Sequence, residues 1–263
     1  MSDDHPGLPC PAHDTTPADP VRCRNPFPDR PIQLVVPWPA GGSADLQLRS
    51  IAETVGRTLG QPMVIQNRPG AGGTLGPMTV AQQSRPDGYT LTQMHLSVLR
   101  RPWMMRTPQW DPVADFTHII GMTGWLFGCA VKATSPFQTW QEMIAYARAN
   151  PGKLNYTTSG IGTTNHLAME TVQEKDRVQL THVPFRGSNE AVTAVIGGQV
   201  DMVCDSSTWA PFVENGQMRV LSVWTAQRVQ RFPNAPTLKE LGYDLVVTSP
   251  YGVSGPKGMD EGV

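Results

Sequence analysis

Five places in this chain carry residue types that could bind or react. The first is Gly41-Gly42-Ser43-Ala44-Asp45, where two small residues lead into two that start helices. The second is Ser159-Gly160-Ile161-Gly162-Thr163-Thr164. Each loop predicts a strand-to-helix junction, where unpaired backbone N–H groups and the helix dipole attract an anion without a charged side chain. His166 and Glu170 follow at i, i+4 on one helix face. Asp205 ends an apolar run and precedes two serines, and Arg186 stands at another strand–helix junction. An arginine there can grip a carboxylate with two parallel bonds, and it serves equally well as a surface charge.

None of these places makes an enzyme by itself. The Gly-x-Gly loop has Asn165 where the third glycine of a dinucleotide fingerprint would fall. His166 and Glu170 lack the H-E-x-x-H pattern and a third ligand, so no metal is expected. Asp205 can cap a helix, accept from a ligand amine or act as a base. A G-x-S-x-G elbow and a Walker loop are both absent. The set favours binding over catalysis, with no cofactor. Trp38, between Pro37 and Pro39, is hard to bury in its own strand. It can close over the apolar body of a ligand or pack against a neighbouring lobe.

The elements that must position these residues fall into two series. Ile32 to Val36 reads as a strand, and Leu48, Ile51, Ala52, Val55 and Leu59 recur at helical spacing over 44–60. Short strands at 62–66 and 89–94 flank a glycine-rich loop and a helix through Val80. Strands are expected at 118–122 and 126–131. Thr139-Trp-Gln-Glu142 is a capping box that starts a helix. A second series then runs strand 154–158, helix 165–174, strand 178–185, helix 189–196, strand 200–204, a short helix at 208–214 and strand 219–224. Alternation of this kind predicts parallel sheets with crossover helices, here as two α/β lobes. Ligands gather at the carboxyl ends of such strands, which places loops 37–45, 159–164 and 205–207 around a cleft.

The bulk numbers agree with a binding protein. The chain has 263 residues and a formal net charge of −1, from 21 Lys and Arg against 22 Asp and Glu. That balance gives no basic surface for nucleic acid. No apolar run approaches the roughly 18 residues of a membrane span. Cys129 and Cys204 sit in apolar runs and read as two buried thiols, with a disulfide only in an oxidising compartment. Residues 1–27 are polar and proline-rich, include Cys10 and Cys23, and lack the apolar core of an export signal. Taken alone they predict a disordered tail and no export.

Several blocks in order resemble the Bug family, the substrate-binding proteins of tripartite tricarboxylate transporters. They are Pro28 to Asp45, Asn67-Arg-Pro-Gly-Ala-Gly-Gly-Thr-Leu-Gly76, Pro86-Asp-Gly-Tyr-Thr90, Asn150-Pro-Gly-Lys-Leu-Asn-Tyr156, Gly160 to His166, His182 to Ser188, Gly197 to Asp201 and Pro236 to Glu240. The resemblance implies a two-lobed periplasmic binding protein of the type II, Venus-flytrap fold. Lobe 1 would span 28–123, lobe 2 would span 124–224, and 225–263 would return to lobe 1 and the hinge. It implies capture of a small carboxylate (a dicarboxylate, an aromatic acid or an amino acid) and delivery to a membrane permease.

Carried residue by residue, the resemblance implies ligand contacts from Trp38, Ala40, Gly41, Gly42, Ser43 and Asp45 on one side. Ser159, Gly160, Thr163, His166 and Asp205 lie on the other. Ser97 joins them from the block His95 to Trp103, which departs from the family's small polar residue near Asn-Pro. The family also continues beyond the position of Val263, with helical turns that complete lobe 1, so this chain reads as truncated at its carboxyl end. Two rivals are the ligand-sensing half of a regulator, which would need a DNA-binding element, and an enzyme using His166, Glu170 and Asp205.

Overall fold

The computed structural model describes residues 27–262. The expected polar tail, apart from Phe27, and its two cysteines lie outside the described residues. The first series runs β1 (Ile32–Val36), α1 (Ser43–Leu59), β2 (Met63–Asn67), α2 (Leu75–Gln83), β3 (Thr90–His95), α3 (Leu96–Arg100) and β4 (Phe116–Gly124). The second runs β5 (Phe127–Lys132), α4 (Trp140–Ala149), β6 (Asn155–Thr158), α5 (Thr164–Asp176), β7 (Thr181–Pro184), α6 (Ser188–Ile196), β8 (Met202–Ser206), α7 (Ala210–Glu214) and β9 (Met218–Val223). A last strand, β10 (Pro250–Pro256), goes back to the first sheet. Among the described residues the strands form two sheets, in the orders β2-β1-β3-β10-β4 and β7-β6-β8-β5-β9.

Local sequence explains the elements that carry the cleft. Leu48 and Ala52 bury one face of α1, and Gly60 ends the helix in the left-handed conformation that costs glycine least. The Thr139 hydroxyl accepts from the Glu142 N–H while the Glu142 carboxylate accepts from the Thr139 N–H, so the expected capping box starts α4. β1 pairs in parallel with β2 and β3, and β6 with β7 and β8. β5 and β10 run antiparallel to their neighbours. The sheets are therefore mixed, and the crossover logic holds only for the strands next to β1 and β6.

The chain passes between the sheets twice, at Gly124–Phe127 and just before Pro250. The two crossings lie side by side, with Gly124 paired to Pro250. A side chain at Gly124 would stand 2.7 Å from the Ser249 carbonyl oxygen, so only glycine lets the crossings approach this closely. Residues 225–247 differ from the expected return to lobe 1. Leu238, Tyr243 and Val247 are buried in the core of the second sheet. The Val247 N–H donates to the Trp224 carbonyl at 2.8 Å, which ties the segment to the end of β9. It carries no hydrophobic period, so its apolar anchors were not visible as an element.

Cys129 and Cys204 correct the reading as free thiols. They face each other across the antiparallel β5–β8 pair, 4.2 Å apart at Cα, and are joined in a disulfide. Their sequence separation of 75 hides that register from any local reading.

Candidate ligand-binding cleft

Helix starts converge on one cavity between the lobes. Gly42, Ser43 and Ala44 reach it from the start of α1, and Thr163, Thr164 and Asn165 from the start of α5. Ser188 and Asn189 reach it from the start of α6. In none of the three helices does the side chain of the N-cap residue (Gly42, Thr163 or Gly187) accept from the first N–H groups. Such ends combine orphan donors with the positive pole of the helix dipole, which suits an anion. No Lys or Arg is among the residues lining the cavity.

The first loop is held from beneath by Asp45. Its buried carboxylate accepts from the Gly41 N–H at 2.8 Å, Arg49 Nε at 2.9 Å and Asn67 Nδ2 at 2.7 Å. Asn67 Nδ2 also donates to the Trp38 carbonyl at 3.0 Å. Burial opposes ionisation of Asp45, but the bonds from Arg49, Gly41 and Asn67 outweigh it and hold the carboxyl below its ordinary range. Trp38 leans against His95, with ring centroids 5.0 Å apart. A side chain at Gly73 would strike both rings at 2.7 Å. His95 Nδ1 accepts from the Ser97 N–H and its Nε2 lies 3.0 Å from the Gly73 carbonyl. Burial lowers its pKa to about 4, so this ring is neutral.

Asp205 lies at the floor of the cavity, 1% exposed. Its Oδ1 accepts from the Ser206 N–H at 2.6 Å and the Ser188 hydroxyl at 2.9 Å, whereas its Oδ2 has no partner. Burial pushes its carboxyl up, against the hydrogen bonds from Ser206 and Ser188. Trp125, on the crossing between the sheets, also lines the cavity, and its buried Nε1–H has no partner either. A buried orphan costs about 1–3 kcal/mol, so one acceptor and one donor here await a ligand or water.

The lobes touch across the cleft. Ser43 N donates to Thr208 Oγ1 at 3.3 Å, and the Ser43 and Ser206 hydroxyls are 2.8 Å apart. Asn189 Nδ2 donates to the Ala40 carbonyl at 3.1 Å, and Arg100 Nη2 to the Gly162 carbonyl at 3.2 Å.

The thirteen expected site residues divide accordingly. Trp38, Gly42, Ser43, Ser97, Ser159, Thr163 and Asp205 line the cavity. Ala40, Gly41 and Asp45 lie one layer out and shape the first loop. Gly160 is turned away, its N–H engaged by Thr158 Oγ1. His166 sits behind the second loop. Arg186 is exposed, in an outer groove beside Arg101. Trp125, His95, Asn165 and Ser188 were missed. Only Asn165 and Ser188 carried a signal, as polar residues in the first turns of their helices.

The family model of tripartite tricarboxylate transporter family receptors (TctC) matches residues 47–263. The chain belongs to this family. As such a receptor it is a substrate-binding protein and not an enzyme. It is 49% identical over 234 residues to a UPF0065 protein of the gbd 5′ region of Cupriavidus necator, covering 89% of this chain and 71% of that one. The periplasmic binding protein BugD superposes with a TM-score of 0.84 at 32% identity, over 89% of this chain and 79% of BugD. MatC from Rhodopseudomonas palustris, solved with bound malate, gives a TM-score of 0.82 at 30% identity, over 89% of this chain and 81% of MatC. The receptor thus has the two-lobed α/β fold of periplasmic binding proteins. No helix among its described residues is long and apolar enough to cross a membrane, and none of those residues forms a metal-binding cluster.

Proposed function

We propose that this receptor captures a small carboxylate between its lobes and delivers it to the membrane permease of a tripartite transporter. The observation that carries the reading is the convergence of three helix starts, none capped by its own N-cap side chain, on one cavity lined by no Lys or Arg. Backbone N–H groups recognise the carboxylate, and the lobes close over it by hinge motion. The bound malate of MatC supports the ligand class.

Asp205 narrows it. A buried carboxylate beside an anionic ligand is repelled unless a proton lies between them. The ligand therefore carries a hydroxyl or ammonium next to its carboxylate, facing Asp205 Oδ2. The Cys129–Cys204 disulfide supports work in an oxidising compartment such as the periplasm. Titration calorimetry with malate, aspartate, succinate and adipate, and dimethyl malate as the uncharged control, tests the reading. Malate or aspartate binds more tightly than succinate, and the diester does not bind. Equal affinity for diester and acid would refute it.

A further inference from the structure

The second ligand loop is built against two histidines. His166 Nδ1 accepts a hydrogen bond from the Gly162 N–H at 3.3 Å. A backbone N–H can only donate, so this nitrogen carries no proton, and the ring's own N–H sits on Nε2. His182 Nε2 lies 2.8 Å from Thr158 Oγ1. That hydroxyl oxygen in turn accepts from the Gly160 N–H at 3.3 Å and lies 3.2 Å from the Gly160 carbonyl. Thr163 Oγ1 donates to the same carbonyl at 2.7 Å. Gly160 and Gly162 have φ of +132° and +74°, and the side chains of Thr158, Thr163 and His166 bond the loop at Gly160 and Gly162. Its shape rests on these side chains, and it sets where Ser159 and Thr163 face the cavity.

The two rings are in contact, with centroids 4.2 Å apart, and His182 stacks on Tyr156 at 4.8 Å. Two charged imidazoles cannot share this space. The other groups facing the pair are Glu170, whose Oε1 is 3.7 Å from His166 Nε2, and Tyr156, whose hydroxyl donates to Glu170. Arg100 reaches the far side of the loop at the Gly162 carbonyl. Burial lowers the pKa of both rings, with Glu170 partly offsetting the effect at His166 and the neighbouring His166 adding to it at His182, which reaches about 4.

We propose that His166, supported by His182, is a positioning residue that holds the second ligand loop as a neutral acceptor, so that acidification releases the loop. Protonation at Nδ1 turns an N–H toward the Gly162 N–H and draws the ring toward Glu170. The bond to Gly162 is then lost, and with it the register of Ser159 and Thr163 in the cavity. The consequence for ligand rests on the carboxylate reading above; the behaviour of the loop does not.

The deciding experiment therefore starts with the free receptor. Nuclear magnetic resonance of glycine-labelled protein follows the Gly162 amide from pH 8 to pH 4, in the wild type and in His166→Asn. Asparagine keeps an acceptor at the place of Nδ1 but does not titrate. In the wild type the Gly162 amide shifts with the His166 ring, at a midpoint below the ordinary 6.5. In His166→Asn it stays at its neutral-pH position, and circular dichroism confirms the fold of both proteins. A Gly162 amide that ignores ring titration, or that moves equally in the variant, overturns the proposal. With malate as probe, affinity falls severalfold further on acidification from pH 7 to pH 4 in the wild type than in His166→Asn, where only the protonation of malate itself lowers it. If malate does not bind at any pH, the ligand reading fails while the amide titration still decides the role of His166.

Discussion

Replacing Gly187 by alanine should prevent closure without harming the fold. Gly187 caps α6 in the second lobe in a fully extended backbone, φ −168° and ψ 167°, which alanine adopts freely. A Cβ there would stand 2.6 Å from Pro39 Cδ and 2.8 Å from Pro39 Cγ, and Pro39 belongs to the first lobe. To bring that contact into the ordinary range the lobes must part by about 1 Å at this point. The nearby cross-lobe bonds, Asn189 to Ala40 at 3.1 Å, Ser43 to Thr208 at 3.3 Å and Ser43 to Ser206 at 2.8 Å, then exceed hydrogen-bond length. At about 1 kcal/mol net for each, the closed state loses about 3 kcal/mol, or about a hundredfold in affinity. Within the lobe the change is small, because the weaker helix cap is offset by the lower entropy of the unfolded chain. Calorimetry with the tightest-binding carboxylate gives the affinity, and a thermal melt of the free protein gives the stability. Gly187→Ala with unchanged affinity would refute this account of closure. So would a Pro39→Ala/Gly187→Ala double variant that fails to recover binding.

Four further outcomes are expected. Asp205→Asn abolishes discrimination of malate from succinate and raises the melting temperature of the free protein at pH 7. The raised pKa means that Asp205 adds stability only below its unfolded value of 3.8 and loses it as pH rises through the folded value; a lower melting temperature at pH 7 would contradict this. Trp125→Phe keeps the stacked ring but loses the free N–H, so affinity falls about tenfold, the worth of one hydrogen bond to an anion, with no change in melting; unaltered affinity would remove Trp125 from the site. Asp45→Ala removes the bonds to Gly41, Arg49 and Asn67 and costs about 2–3 kcal/mol. Because its pKa is lowered, that contribution is present above the unfolded value and fades as pH drops through the folded one, so denaturant melts of wild type and Asp45→Ala should converge only below about pH 4. Reduction of Cys129–Cys204, which closes 75 residues, costs roughly 2–4 kcal/mol. Melts with and without dithiothreitol should differ in the wild type and coincide in the Cys129→Ala/Cys204→Ala variant.

Much of the fold was legible because its signals are local. The α1 helix announces itself by apolar spacing and Gly60, α4 by its capping box, and the loops at 37–45 and 159–164 by small residues after a strand. Convergence of those loops on one cleft followed from the rule that parallel strands bind ligands at their carboxyl ends. What stayed hidden depends on distant parts of the chain. β10 is recruited between β3 and β4, the Cys129–Cys204 register spans two lobe-2 strands, and Trp125 enters the cavity only because the chain crosses there. His166 was placed among ligand contacts because it lies in the right block. Its ring points to Gly162, a role set by the loop's folded path and by His182, which comes from another strand.

The central claim is that backbone N–H groups at the starts of α1 and α5 hold a carboxylate between the lobes. A crystal structure of the receptor with the tightest-binding acid of the panel tests it most directly. The account predicts carboxylate oxygens within hydrogen-bond reach of N–H groups at Gly42–Ala44 and Thr163–Asn165, directly or through one water, with a ligand hydroxyl or ammonium at Asp205. A ligand seated in the outer groove beside Arg101 and Arg186, or held by arginine side chains, would contradict it.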